Sequence, residues 1–137
     1  MGATTDIVET DAGPVRGTVT DEYRLFQGVP YAAATGGGLR WRPPQPVPPW
    51  TEPWDGTRPC SICPQRPSTY AEVASLDEDC LCLNVTAPRS ATPATPRPVM
   101  VWIHGDGAIG GGSFFDGRPL ALAGDVMVVT VNYRLWS

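Results

Sequence analysis

The sequence predicts an α/β fold in which an N-terminal antiparallel hairpin leads into the first strands of a mixed sheet. Three observations carry this. Residues 7–10 and 15–20 alternate apolar and polar around Asp11-Ala12-Gly13-Pro14, the pattern of a hairpin. Residues 99–103 and 126–131 are apolar, β-branched runs bounded by turn residues, which reads as parallel strands buried on both faces. Glycine and proline together make 31 of 137 residues, so turns are many and helix is scarce, while 42% apolar residues argue against disorder.

Along the chain, residues 23–31 form a further extended segment ending at Val29-Pro30. Residues 36–59 are turns, with the PPQPVPP run at 43–49 polyproline-like. Trp41, Trp50 and Trp54 in this stretch are placed to cover an edge of the core. Residues 67–74 read as a short helix or a loop, residues 81–86 as a strand, and 87–98 as a connector rich in Pro, Ala and Thr. A short helix is expected at 119–123, ahead of a strand over 126–133. Asn84-Val85-Thr86 is formally a glycosylation sequon, but its place on a strand makes it an ordinary strand asparagine.

A net charge of −4 without a basic run argues against a nucleic-acid partner. No apolar run reaches membrane-spanning length, and MGATTDIVETDAG shows neither the basic nor the apolar region of a signal peptide. Cys60, Cys63, Cys80 and Cys82 fall within 23 residues, as C-x-x-C followed by C-x-C. That spacing leaves a metal site, a redox pair and disulfides open, although the second pair lacks the spacing of a zinc ribbon.

The densest signal follows the run at 99–103. Five of the eight residues after His104 are glycine: Gly105, Gly107, Gly110, Gly111 and Gly112. Such a turn lets backbone adopt positive φ and bring N–H groups against an anion. One use is dinucleotide binding, since Gly105-Asp106-Gly107-Ala108-Ile109-Gly110 satisfies G-x-G-x-x-G. The fingerprint requires a helix at once, and GGSFFDGRP is poor in helix formers. Asp125 precedes the next strand instead of ending it; Asn132 and Arg134 are left as candidates for a 2′-phosphate. The other use is an oxyanion hole, in which N–H donors fixed in advance stabilise the tetrahedral intermediate of acyl transfer. HGDG at 104–107 approximates the HGGG-type turn that serves this purpose.

Taken in order, the strings ETDAGPVRG, FQGVPYA, LRWRPP, PWTEPWDGT, CPQ, EDCLCLNV, PVMVWIHGDG and DVMVVTVN followed by YRL closely resemble the N-terminal part of the type-B carboxylesterase family, which includes the cholinesterases. The match runs from about Glu9 to Leu135. It implies an α/β-hydrolase with a small N-terminal antiparallel sheet, hydrolysis of small-molecule esters by a Ser–acid–His triad, and no cofactor. It also implies a disulfide between Cys63 and Cys80 and an ion pair between Arg40 and Glu78. The oxyanion donors would come from the turn at Gly105, Asp106 and Gly107.

The departures from the family pattern are equally specific. No serine here has the G-x-S-x-G setting of the nucleophile: Ser61, Ser68, Ser75, Ser90, Ser113 and Ser137 all fail it, Ser113 coming nearest. The only histidine, His104, lies in the turn, upstream of where the family's general base would stand. Asp106 replaces a family glycine, setting a carboxylate where charge would develop. Losing one oxyanion donor costs roughly 2.7–4 kcal/mol of transition-state stabilisation. The expectation is an incomplete esterase domain over residues 1–137, inactive alone, with an exposed sheet edge open to self-association. A non-enzymatic interaction module and a nicotinamide-binding oxidoreductase are the alternatives. The family disulfide favours a secreted or extracytoplasmic setting, against the missing signal peptide.

Overall fold

The computed structural model describes residues 4–67, 74–105 and 110–135. A single sheet runs through them in the order β1-β2-β3-β5-β7-β6, with the short β4 beside β2. Its strands are β1 (Thr4–Glu9), β2 (Pro14–Val19), β3 (Tyr23–Pro30), β4 (Trp54–Asp55), β5 (Cys82–Pro88), β6 (Val99–Ile103) and β7 (Met127–Val131). β1, β2, β3, β5 and β7 pair antiparallel in turn, whereas β6 lies parallel to β7, with Val101 opposite Val129. The sheet is mixed because β6 lies parallel to β7 and the short β4 parallel to β2.

The N-terminal hairpin closes through Thr10 and Gly13, whose backbones exchange hydrogen bonds at 3.2 Å. Gly13 sits at φ +148 against Trp50, where a Cβ would lie 2.3 Å from the Trp50 carbonyl oxygen. A bulge between Phe26 and Val29 bends β3. It places Gly28 at φ +61, and the Gly28 N–H donates to Asn84 Oδ1 at 2.9 Å. Asn84 is therefore a buried tie between β5 and the bulge. Trp50 and Trp54 donate their indole N–H groups to the carbonyls of Pro14 and Gly28, and fix the proline-rich segment to β2 and β3. Trp41 does not join them. It takes a positive φ and is 75% exposed, which corrects its expected place over the core.

Helix α1 (Arg118–Gly124) starts with proline in its first turn and ends at Asp125 in the left-handed region, held by the Ser90 hydroxyl. α1 packs on β5 and β7. Its Ala121 is buried, as are Val128 and Thr86 of the strands, and Gly117 approaches so closely that a Cβ would stand 3.0 Å from Val128 Cγ1.

This placement corrects the expectation that the two apolar runs are buried on both faces. Where β5 and β7 pair, the buried positions are Asn84, Thr86, Val128 and Thr130, opposite one another across the two strands. Leu83, Val85, Val129 and Val131 point to the opposite face and are only half-buried. On that face Val8, Phe26, Val29, Val85, Val99 and Met127 line an apolar groove of about 520 Å³. β6 is barer still: Val99, Val101 and Ile103 are more than half exposed, because they share the face of Met127, Val129 and Val131, opposite the one that α1 covers. Only Trp102 finds a cover, stacking on Phe115 with ring centroids 4.1 Å apart. β7 ends at Val131, two residues sooner than the apolar pattern suggests.

Candidate oxyanion turn

β6 delivers the chain to His104 and Gly105 at the sheet end where β7 also finishes. Asp106 and Gly107, the other two predicted oxyanion residues, lie outside the described residues. Gly105 is exposed, and among the described residues no atom would lie within 4 Å of a Cβ there. The flanks of the turn are held tightly. The His104 imidazole stacks on the Tyr133 ring at a centroid distance of 4.2 Å. The Tyr133 hydroxyl donates to the His104 carbonyl oxygen. His104 is 6% exposed, and neither ring nitrogen has a hydrogen-bond partner among the described residues. It faces an aromatic ring, not a carboxylate that would orient a general base.

At the far side, Gln65 grips Gly110 twice. The Gly110 N–H donates to Gln65 Oε1 at 2.7 Å, and Gln65 Nε2 donates to the Gly110 carbonyl at 2.8 Å. Gly110 takes φ +93, where a side chain would be strained. Gly111 and Gly112 serve a different need. A Cβ on Gly112 would meet the Val131 backbone at 2.5 Å, and one on Gly111 would meet Ile62 at 2.6 Å. Glycine here permits close packing on β7, so the density of glycine is only partly about positive φ.

Asn132 locks the next residues. Its Oδ1 accepts from both the backbone N–H and the hydroxyl of Ser113, each at 3.1 Å. Its Nδ2 donates to the Ser61 carbonyl at 3.0 Å and toward the sulfurs of Cys60 and Cys82. Tyr31 completes the arrangement by donating to the Asn132 carbonyl at 2.6 Å, and burial raises the Tyr31 phenol above its ordinary pKa. A donor that stays protonated suits that task. Ser113 is thus engaged in structure and has neither an imidazole nor an elbow beside it.

The four cysteines form two disulfides, Cys60–Cys82 and Cys63–Cys80. Cys63 and Cys80 sit in the core with Ala32, Leu81 and Leu135. Arg40 and Glu78 form a two-pronged pair, with Nε to Oε1 and Nη2 to Oε2 both at 2.6 Å. Both line a cavity of about 710 Å³ at this end of the sheet, together with Trp41, Leu76 and Arg134. The dinucleotide reading fails on geometry. After Gly110 the chain makes a 3₁₀ turn at Gly112–Phe114, and α1 opens only at Arg118. Residues 68–73 of the segment read as a short helix or loop lie outside the described residues. Gln65, Asn132, Tyr133 and Tyr31 were missed as supports of the turn, although all four stand in the strings CPQ, VN followed by YRL, and FQGVPYA.

A mixed sheet whose parallel pair is joined by a glycine turn and a helix, with the turn at the end of the leading strand, defines the α/β-hydrolase class. The comparisons narrow this. A model of the Carboxylesterase family matches residues 4–136. The chain is 44% identical to the para-nitrobenzyl esterase of Bacillus subtilis (strain 168), over 96% of this chain and 28% of that protein. It is 38% identical to carboxylesterase 3 of Pongo abelii, over 93% of this chain and 26% of the relative. A solved thermophilic para-nitrobenzyl esterase superposes with a TM-score of 0.86 at 40% identity, covering 97% of this chain and 29% of that one. The chain belongs to the carboxylesterase family, and it spans little more than a quarter of the length of these relatives. Neither the oxidoreductase nor the interaction-module reading gains support from them.

Proposed function

We propose that these 137 residues are the N-terminal part of a carboxylic ester hydrolase domain and supply its oxyanion turn. The carrying observation is the turn after β6, whose flanks are fixed by Tyr133 on His104 and by Gln65 on Gly110. Donors held before reaction cost no reorganisation when charge develops on the ester oxygen. Gly105, Asp106 and Gly107 would present them. The nucleophile, acid and general base would come from polypeptide beyond these residues, since no serine here has the elbow setting and His104 is committed to Tyr133. The substrate class is a small carboxylic ester, in keeping with the names of the relatives. The two disulfides support an oxidising, extracytoplasmic setting, and no described helix is long and apolar enough to cross a membrane.

The test has two arms. The purified chain should hydrolyse para-nitrophenyl acetate no faster than buffer. Fused to the downstream portion of the Bacillus subtilis para-nitrobenzyl esterase, it should turn the ester over, and Asp106→Gly in that fusion should raise kcat by about 10²-fold. A folded fusion without turnover rejects the proposal. So does hydrolysis by the chain alone that disappears with Ser113→Ala or His104→Ala.

A further inference from the structure

The two disulfides join the same two segments but differ in what surrounds them. Cys63 and Cys80 are 1% and 0% exposed in the core. In the other bridge Cys82 is 4% exposed whereas Cys60 is half-buried, so Cys60 is the least buried of the four cysteines. Asn132 Nδ2 lies 3.3 Å from Cys60 Sγ and 3.6 Å from Cys82 Sγ. The same side chain, through Oδ1, holds Ser113, and the Ser113 hydroxyl lies 3.7 Å from Cys60 Sγ.

We infer that Cys60–Cys82 is a thiol-exchange site for a small thiol of the glutathione class, and that its opening loosens the glycine turn through Asn132. The consequence for catalysis rests on the oxyanion reading above; the exchange chemistry does not. The incoming thiolate attacks the sulfur of Cys60, the less buried residue of the bridge. The bond to Cys82 breaks, its electron pair leaves on Cys82 Sγ, and a new S–S bond joins Cys60 to the small thiol. Exchange is faster when the departing sulfur is stabilised as a thiolate, and Asn132 Nδ2, 3.3 Å from Cys60 Sγ and 3.6 Å from Cys82 Sγ, is a donor within reach of it. A second thiol then displaces the first as a small-molecule disulfide. Overall the protein bridge takes up two electrons and two protons, and the two small thiols are oxidised. Two separated thiols no longer present paired sulfurs to Asn132 Nδ2. Ser113 loses a fixed partner, and with it the Gly112–Phe114 turn that ends the glycine segment.

The experiment uses the intact, air-oxidised 137-residue chain under native conditions with reduced glutathione. Samples are trapped by alkylation and mapped by peptide mass, and amide hydrogen exchange is followed in parallel. Glutathione adducts or alkylation should appear at Cys60 and Cys82 at least about tenfold faster than at Cys63 and Cys80, as the difference in access requires. In the opened form the amides of residues 110–114 should exchange about tenfold faster, while those of β2 and β3 stay unchanged. The Cys60→Ser/Cys82→Ser variant should show the faster exchange from the outset and no response to glutathione. Opening of both bridges together, opening of Cys63–Cys80 first, four free thiols in the oxidised protein, or an unchanged turn after opening would each overturn the inference. None of these readouts needs ester turnover, so a failure here is distinct from a failure of the proposed function.

Discussion

The Tyr133 hydroxyl donates to the His104 carbonyl while the two rings stack 4.2 Å apart, so the residue leaving β7 clamps the residue leaving β6. Parallel strands end on the same side of a sheet, and this pair converts that adjacency into a fixed entry angle for the turn. The clamp has one apolar and one polar component, which can be separated by substitution.

Tyr133→Phe keeps the stack and removes the donor to a carbonyl on a buried residue. Stability should fall by about 1 kcal/mol, the usual net value of such a bond. Tyr133→Leu, which removes the stack as well, should fall further. Urea midpoints measured side by side decide it; equal midpoints for wild type and Tyr133→Phe would show that the bond contributes nothing.

The glycines of the turn should divide into two kinds. Gly112→Ala forces a methyl to 2.5 Å from the Val131 carbonyl oxygen. Overpacking of that sort costs about 1–3 kcal/mol. Gly105→Ala meets no atom of the described residues and should change stability by no more than about 0.5 kcal/mol. Thermal or denaturant melts of the two variants, compared directly, test the ranking.

The hydrogen-bonded Arg40 guanidinium holds the Glu78 carboxyl below the usual carboxylate range. A depressed folded-state pKa contributes stability above the unfolded value, about 4.3 for glutamate, and loses it as pH falls through the lower folded value. The stability gap between wild type and Glu78→Gln should therefore be full at pH 6–7 and shrink on acidification below about pH 4. Added salt should narrow it too, because the pair is open to solvent. A gap that ignores both pH and salt would remove the electrostatic explanation.

β6 carries its neighbour β7 on one side only, with Val99, Val101 and Ile103 exposed. An open apolar edge pairs readily with further strands. Val101→Lys should raise the monomer fraction of the 137-residue chain in sedimentation and lower its binding of a hydrophobic dye. No shift in either measurement would place any self-association elsewhere.

Much of this arrangement was legible because it is local. The hairpin around Asp11–Pro14 announces itself through alternation and turn residues, α1 through Pro119 and the Ala/Leu run after it, and the turn through its glycines. What escaped depends on residues far apart in sequence. Gln65 grips Gly110 across 45 positions, and Tyr31 reaches Asn132 across 101. No periodicity encodes such partners. The apolar runs misled for a related reason. Valine at Val129 and Val131 signals a strand that favours cover, but whether cover is present depends on where α1 lands. Buried Asn84, Thr86 and Thr130 show the inverse. They look like surface residues in a strand pattern, yet they lie on the covered face.

The strand order also governs how the molecule can be made. β7 lies between β5 and β6 although it is the last of the three to be synthesised. On the ribosome, β1, β2 and β3 can zip up, and β5 can add to β3, while β6 emerges with no neighbour to receive it. It must wait until Val131 clears the exit tunnel. Throughout that interval the nascent chain displays Val-Met-Val-Trp-Ile as a naked sticky segment, which makes this interval the natural moment for a chaperone to engage it.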